Sequence, residues 1–465
     1  MDTLKITLII SMGVYFLIMI LTSLTSRRKE KQDEFIIANR NLGAIPIISS
    51  LSASFRDGTG IIAWTGFGFS IGYGGIWLML GVLLAMFVYS GFGPRIRQSS
   101  IEHNAITVGE LIRVAIGPIT EKLSTGLVLI FSLVIISIQL YVAGSLFAEI
   151  IELDHWLGMV IVAIIVGSYL ILGGYSAVVK TDVIQFFLIL SVILIPSLAL
   201  TDHQLIFEFS SIVSFPALDR LALFLMGFFF VMSSADVWQK IFAARNDAVI
   251  KTSFPVSGIM LIFMTVSLVW LGMTAKDLLT GHIESGQVLF ELFNQGVLPT
   301  WMLGLLSIVV LAITMSSLDT YCYLFSSSLL KNFLFAKKTD NEENLKHYIK
   351  INRLVMLSVL LLSVLMAIVI SDIIQTIFSA ASLLFILSPI YIALGFGWFK
   401  HTPQLDRLLS FSIVISLVVY ISLFVHGDFE NMIMLVVPVV VNIVLMLVMH
   451  IYMRFRKYTF NFARD

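Results

Sequence analysis

The chain has 465 residues, of which 58% are hydrophobic and 12% charged, with a mean hydropathy of +0.98. Soluble domains carry roughly 25% charged residues, so a water-soluble globule is excluded. The 29 basic and 29 acidic residues cancel to a formal net charge of zero, which excludes a general attraction to nucleic acid.

In chain order, apolar runs of bilayer length predict thirteen membrane helices. They lie at 4–26, 44–68, 74–94, 120–149, 156–174, 178–200, 217–240, 253–274, 299–330, 352–371, 374–397, 407–425 and 430–453. The first is too long for a signal-peptide core, lacks a small-residue cleavage site and is followed by RRKEK at 27–31, so it is read as a retained helix. With the N-terminus outside, the inner loops and tail hold 25 of the 29 Lys and Arg residues. One mistaken span in the middle would invert everything after it and scramble that bias. The expectation is therefore N-terminus out and C-terminus in. The charged stretch 332–351 is read as a solvated connector, and Cys322, the single cysteine, as a small packing residue. No phosphate-binding loop, nucleophile elbow or His/Cys metal spacing is present in the sequence, so no enzyme class has a motif.

Charges inside spans cost roughly 2.5–3.5 kcal/mol each, and they mark functional sites by default. In SFRDGTGIIAW at 54–64, Arg56 and Asp57 are adjacent and so face apart on an intact helix. Gly58, Thr59 and Gly60 favour a break there. A break exposes carbonyls that suit a cation such as Na⁺; the plainer alternative is an internally satisfied Arg–Asp pair. In the sixth span Asp182 and Gln185 share a face, either at a site or at the interface reaching water. In LAITMSSLDTY at 311–321, Ser316 faces the same side as Asp319 and Thr320. Hydroxyls with a carboxylate suit a hard cation, whereas serines alone would also serve close helix packing.

Four motifs, in order, resemble those of the sodium/solute symporter family. They are DEFIIANRNLG ending at residue 43, GGYSAVVKTDVIQ ending at Gln185, DVWQKIFAARNDAVIK beginning at Asp236, and AITMSSLDT ending at Thr320. The likeness runs from about residue 34 to 397. It implies a LeuT-type all-α membrane fold, two inverted repeats of five helices each. Residues 1–43 would be an extra N-terminal helix and loop, 44–200 the first repeat, 201–397 the second, and 398–465 two further helices with a basic tail.

The resemblance also implies a sodium ion held by the carbonyls of Phe55, Gly58 and Ile313 and the hydroxyls of Ser316 and Ser317. It implies a second sodium site at Asp182, Ser316, Asp319 and Thr320, and a coupling role for Asp57. Substrate contacts are expected from Arg56, Thr59, Gln139, Ser234 and Trp238, between spans two, four, seven and eleven; an Arg56 facing that cavity would favour an anionic group. Ile61 stands where proline transporters carry a stacking tryptophan, which argues against proline. The expected function is sodium-coupled import of a small organic solute, in a multi-pass protein of a bacterial inner membrane. A solute sensor or an uncoupled uniporter on the same fold are the alternatives; no nucleic-acid partner is expected.

Overall fold

The computed structural model describes residues 3–26, 37–56, 58–172, 175–199, 209–297, 300–334, 342–370, 372–399 and 402–462. Among these residues regular structure is helical, apart from one isolated β-bridge between Leu42 and Ala244. The helices are α1 Thr3–Ser26, α2 Ala44–Phe55, α3 Gly58–Ile71, α4 Ile76–Glu102, α5 Val108–Ala115 and α6 Pro118–Ile151. They continue with α7 His155–Leu172, α8 Tyr175–Ala199, α9 Ala217–Ser233, α10 Ala235–Ala243, α11 Asp247–Leu278 and α12 Val288–Asn294. The last six are α13 Thr300–Leu329, α14 Glu342–Ala367, α15 Ile373–Phe385, α16 Ser388–Gly395, α17 Pro403–His426 and α18 Val437–Phe462.

A helix, whole or broken, overlaps each of the thirteen predicted segments, with three starts displaced, the eighth lying at Asp247 rather than 253. The tenth begins at Glu342 rather than 352, because a polar helix runs on beyond the apolar part. The last begins at Val437 rather than 430. Residues 432–436 are apolar yet form turns, and Pro438 sets the start, since proline is favoured in a first helical turn. By length and apolarity alone, six helices among the described residues qualify as membrane spans, or eight if each of two bent pairs counts once.

Three helices are interrupted. The first breaks between α2 and α3, with Arg56 at φ −104°, ψ 67° as its last turn closes. The break therefore falls before the glycines, and Gly58 to Gly60 form the opening turn of α3. That turn lacks intrahelical acceptors for its N–H groups wherever the helix starts, so the break costs little more there. Between α9 and α10 the chain bends by 48° at Ser234, and between α15 and α16 by 46°. The freed Ile386 carbonyl at that last bend accepts a bond from the Asn442 amide of α18 (2.5 Å).

Close helix crossings rest on glycine, as expected where lipid supplies no hydrophobic push. A Cβ on Gly272 of α11 would lie 1.9 Å from the Thr65 carbonyl oxygen of α3, and one on Gly227 of α9 would lie 1.9 Å from that of Leu78 on α4. At the chain's DEFIIANRNLG motif, Ala38, Asn39 and Arg40 adopt left-handed φ. The turn aims the Arg40 guanidinium at the carbonyls of Phe242 (3.2 Å) and Ala105 (2.8 Å) and at the Ser100 hydroxyl. Leu42 pairs through its backbone with Ala243 and Arg245. This clasp fixes the start of α2 against the ends of α4 and α10.

Candidate functional site

The broken helix presents two different surroundings, one on each side of Phe55. On the α2 side the last turn carries Ser50 and Ser54, both buried. The Ser54 carbonyl accepts from the Ser317 hydroxyl of α13 at 3.5 Å. Its own hydroxyl accepts from the Lys240 ammonium at 3.2 Å, and Lys240 is in close ionic contact with Asp236 one turn earlier on α10. Lys240 is 0% and Asp236 1% exposed. Buried charges are tolerated only when paired and hydrogen-bonded, and this pair is both.

Next to it, the Asp182 carboxylate of α8 accepts from the Ser50 hydroxyl (2.5 Å) and the Ser316 hydroxyl (2.6 Å). Asp182 is 0% exposed, so it does not reach water at the interface. Asp319, equally buried, accepts from the Tyr169 hydroxyl of α7 at 3.1 Å. Its other oxygen Oδ1 and the Thr320 hydroxyl are buried without a hydrogen-bond partner among the described residues. Gln185 donates to the Tyr15 hydroxyl of α1 at 2.9 Å. One polar cluster thus joins α1, α2, α7, α8, α10 and α13.

The sequence-predicted residues divide accordingly. Ser316 and Ser317, neighbours in sequence, point to different partners: Ser317 to the end of α2, Ser316 to Asp182. The carbonyl nearest to Ser317 by hydrogen bonding is that of Ser54, one residue before the expected Phe55. Ile313 is buried on α13. Asp57, and the side chains of Gly58 and Thr59, lie outside the described residues. Arg56 is 1% exposed and donates to the Leu261 carbonyl (2.8 Å) and the Thr265 hydroxyl (2.5 Å) of α11. Its guanidinium also lies 5.9 Å from the centre of the Trp64 ring. Gln139 is fully buried on α6, and Ser234 is buried at the bend between α9 and α10. The buried Trp238 ring packs edge-on against Phe242 and Tyr391.

On the α3 side of Phe55 the surroundings are apolar. A cavity of about 100 Å³ lies between α3, α4, α9 and α15, with Phe55 at the break among its walls. Among the described residues, the expected substrate contacts Arg56, Gln139, Ser234 and Trp238 do not line it.

Sequence reasoning overlooked Ser50, Ser54, Asp236 and Tyr169. Asp236 and Lys240 carried a signal, since opposite charges four apart in an apolar segment share a helix face. Tyr169 and Ser50 carried none; their partners lie 150 and 132 positions away.

The model of the sodium:solute symporter family matches residues 35–404. The sodium/proline symporter of Staphylococcus aureus is 25% identical over 383 residues, covering 77% of this chain and 74% of the relative. The fold is similar to that of a Na⁺-coupled sialic acid symporter in a substrate-bound outward-open state, with a TM-score of 0.76 at 16% identity over 94% of this chain and 96% of that one. It is also similar to Mhp1, a nucleobase-cation-symport-1 family transporter, with a TM-score of 0.59 at 16% identity over 89% of this chain and 93% of that one. These are LeuT-fold transporters, and neither the family nor the relatives are enzymes.

Proposed function

We propose that this chain, which belongs to the sodium:solute symporter family, couples inward sodium flow to the import of a small organic solute by alternating access. The observation that carries the reading is the meeting of the Ser317 hydroxyl with the carbonyl that ends the broken helix. A sodium ion between them ties α13 to α2, and the tie favours whichever state brings them together, which is coupling by differential affinity. One charge crossing 100 mV supplies ~2.3 kcal/mol before any concentration gradient.

In this reading the main sodium ion is held by the carbonyls at the break, those of Ser54, Phe55 and Gly58, with the Ile313 carbonyl and the Ser317 and Ser316 hydroxyls. A second sodium ion is held by Asp182, Ser316, Asp319 and Thr320. The orphaned Asp319 and Thr320 oxygens support it, because a buried lone pair without a donor is what a cation satisfies. The three carboxylates Asp182, Asp236 and Asp319 also outnumber the one ammonium, Lys240, bonded within the cluster. Asp57 is assigned a coupling role. Thr59, Gln139, Ser234 and Trp238 surround the solute path, and Arg56, held by α11, braces the break rather than gripping an anion.

The topology proposed is thirteen spans, N-terminus out and C-terminus in, in a bacterial cytoplasmic membrane. Residues 44–200 and 201–397 form the two inverted repeats. The broken helices α2–α3 and α9–α10 support this division, since each would open its repeat.

Tryptophan fluorescence and thermal unfolding of the purified protein, titrated with NaCl against KCl, test the sodium assignment. The wild type responds to Na⁺ alone and Ser317→Ala responds only at higher concentration. Equal responses to the two salts would sink it. Solute uptake into proteoliposomes that persists when choline replaces Na⁺ would mark a uniporter, and saturable binding without accumulation would mark a sensor.

A further inference from the structure

Among the described residues sixteen wall the cavity beyond the break, and none of these bears a charged, hydroxyl or amide side chain. Six are aromatic: Phe55, Trp64, Phe67, Phe230, Phe378 and Phe385. Phe55 meets Phe230 edge-on at 5.7 Å, and Trp64 meets Phe67 edge-on at 5.5 Å. The rings of Phe67 and Phe378 lie nearly parallel, 9° apart, at 6.4 Å. The remaining walls are almost all aliphatic, from Leu78 and Val82 on α4 to the isoleucines of α15.

Such a lining discriminates between solute chemistries. Sugar hydroxyls brought here lose their water, and among the described walls the Trp64 indole N–H is the one polar side-chain group to replace it. Burial of methylene groups, by contrast, is favourable. An aromatic box can also hold a cation over a ring face. Here, however, the Arg56 guanidinium already sits 5.9 Å from the Trp64 ring centre, and a second positive charge against the same ring would be repelled. A ring or branched chain without charge is what remains.

We propose that this cavity receives the apolar body of the transported solute, an aromatic ring or a branched aliphatic group. Polyhydroxylated sugars, and solutes whose body carries a quaternary or ring ammonium, are excluded by the same walls. The inference rests on the symporter reading, in which this space lies on the outer side of the break, open to solute from outside.

The test is thermal unfolding of the purified full chain in NaCl and in KCl. The probes are L-leucine, L-phenylalanine and phenylacetate, set against glucose, N-acetylneuraminate, betaine and L-proline. Stabilisation by a member of the first group, larger in NaCl and absent for the second group, is the expected result. Preferential stabilisation by any member of the second group overturns the proposal, and so does silence from all three apolar probes. Phe385→Gln, which places an amide in the wall, should weaken the apolar probes at least tenfold. An unchanged response in that variant would also overturn the proposal, provided that its unfolding midpoint in NaCl alone shows it folded. Stabilisation by apolar probes that is equal in the two salts would leave the cavity standing and remove the sodium coupling instead.

Discussion

The two sides of Phe55 differ as sharply as any two regions of this molecule. On the α2 side lie three buried carboxylates, a buried ammonium and the hydroxyls of Ser50, Ser54, Ser316, Ser317 and Tyr169 in one polar cluster. On the α3 side the walls are phenylalanine, tryptophan, methionine and aliphatic residues around open space. Among the described residues the two sides share only α2: the polar cluster draws on α1, α2, α7, α8, α10 and α13, and the cavity on α3, α4, α9 and α15 with Phe55. The contrast is between fixed oxygens on one side, which suit an ion, and non-directional apolar walls on the other, which suit an apolar group. In the proposed reading the break joins them, so that filling one alters the other.

The largest effect should come from halving the buried ion pair. Lys240→Met leaves Asp236 charged and unanswered, a change that costs about 3–5 kcal/mol in comparable pairs. Thermal unfolding in detergent should show a large fall, and replacing both partners in Asp236→Asn/Lys240→Met should recover much of it. A single variant as stable as the wild type would mean that the polar side does not depend on the pair.

Next come the backbone crossings that hold the two sides in register. Gly272→Ala forces a methyl group to 1.9 Å from the Thr65 carbonyl oxygen, and overpacking of this kind costs about 1–3 kcal/mol. The unfolding midpoint should drop, and sodium should stabilise the variant less, because α3 is displaced from the break.

A smaller effect is expected at the ion itself. Ser317→Ala removes one hydroxyl ligand, worth about 1.4 kcal/mol, or roughly tenfold in the sodium concentration giving half-maximal fluorescence change. Asp319→Asn should weaken the second ion while leaving the midpoint for the first in place. If both substitutions shift a single transition equally, there is one sodium site and not two.

The smallest is at the bend between α15 and α16. Asn442→Leu removes the amide that bonds the Ile386 carbonyl, a neutral hydrogen bond worth about 1 kcal/mol. Solute response should change more than sodium response, since α15 walls the cavity and contributes no residue to the ion cluster. The reverse order would undo the proposed division between the two sides.

Most of the helices and the oxygen-bearing residues of the proposed ion sites were legible in the sequence. Span-length apolar runs must be helical because lipid offers backbone groups no other partner. Ser316, Ser317, Asp319 and Thr320 announced themselves as oxygens out of place in such a run. Even so, apolarity misplaced the start of the last helix, because 432–436 is equally apolar as a turn. What the sequence could not say was direction. Ser316 and Ser317 are adjacent residues with different partners, and Arg56 turns toward α11. The apolar cavity was invisible, since its walls come from four helices whose phenylalanines read as ordinary membrane-facing residues.

The sequence by itself therefore determined an all-helical membrane chain, the place of its first break to within a few residues, and the residue types available to an ion. Only the tertiary structure decided which of those residues meet and where the apolar cavity lies. The physical reason is range: hydropathy and helix breaking act between neighbours along the chain. A hydrogen bond from Ser50 to Asp182, or a wall shared by Phe67 and Phe378, exists only once distant helices have packed.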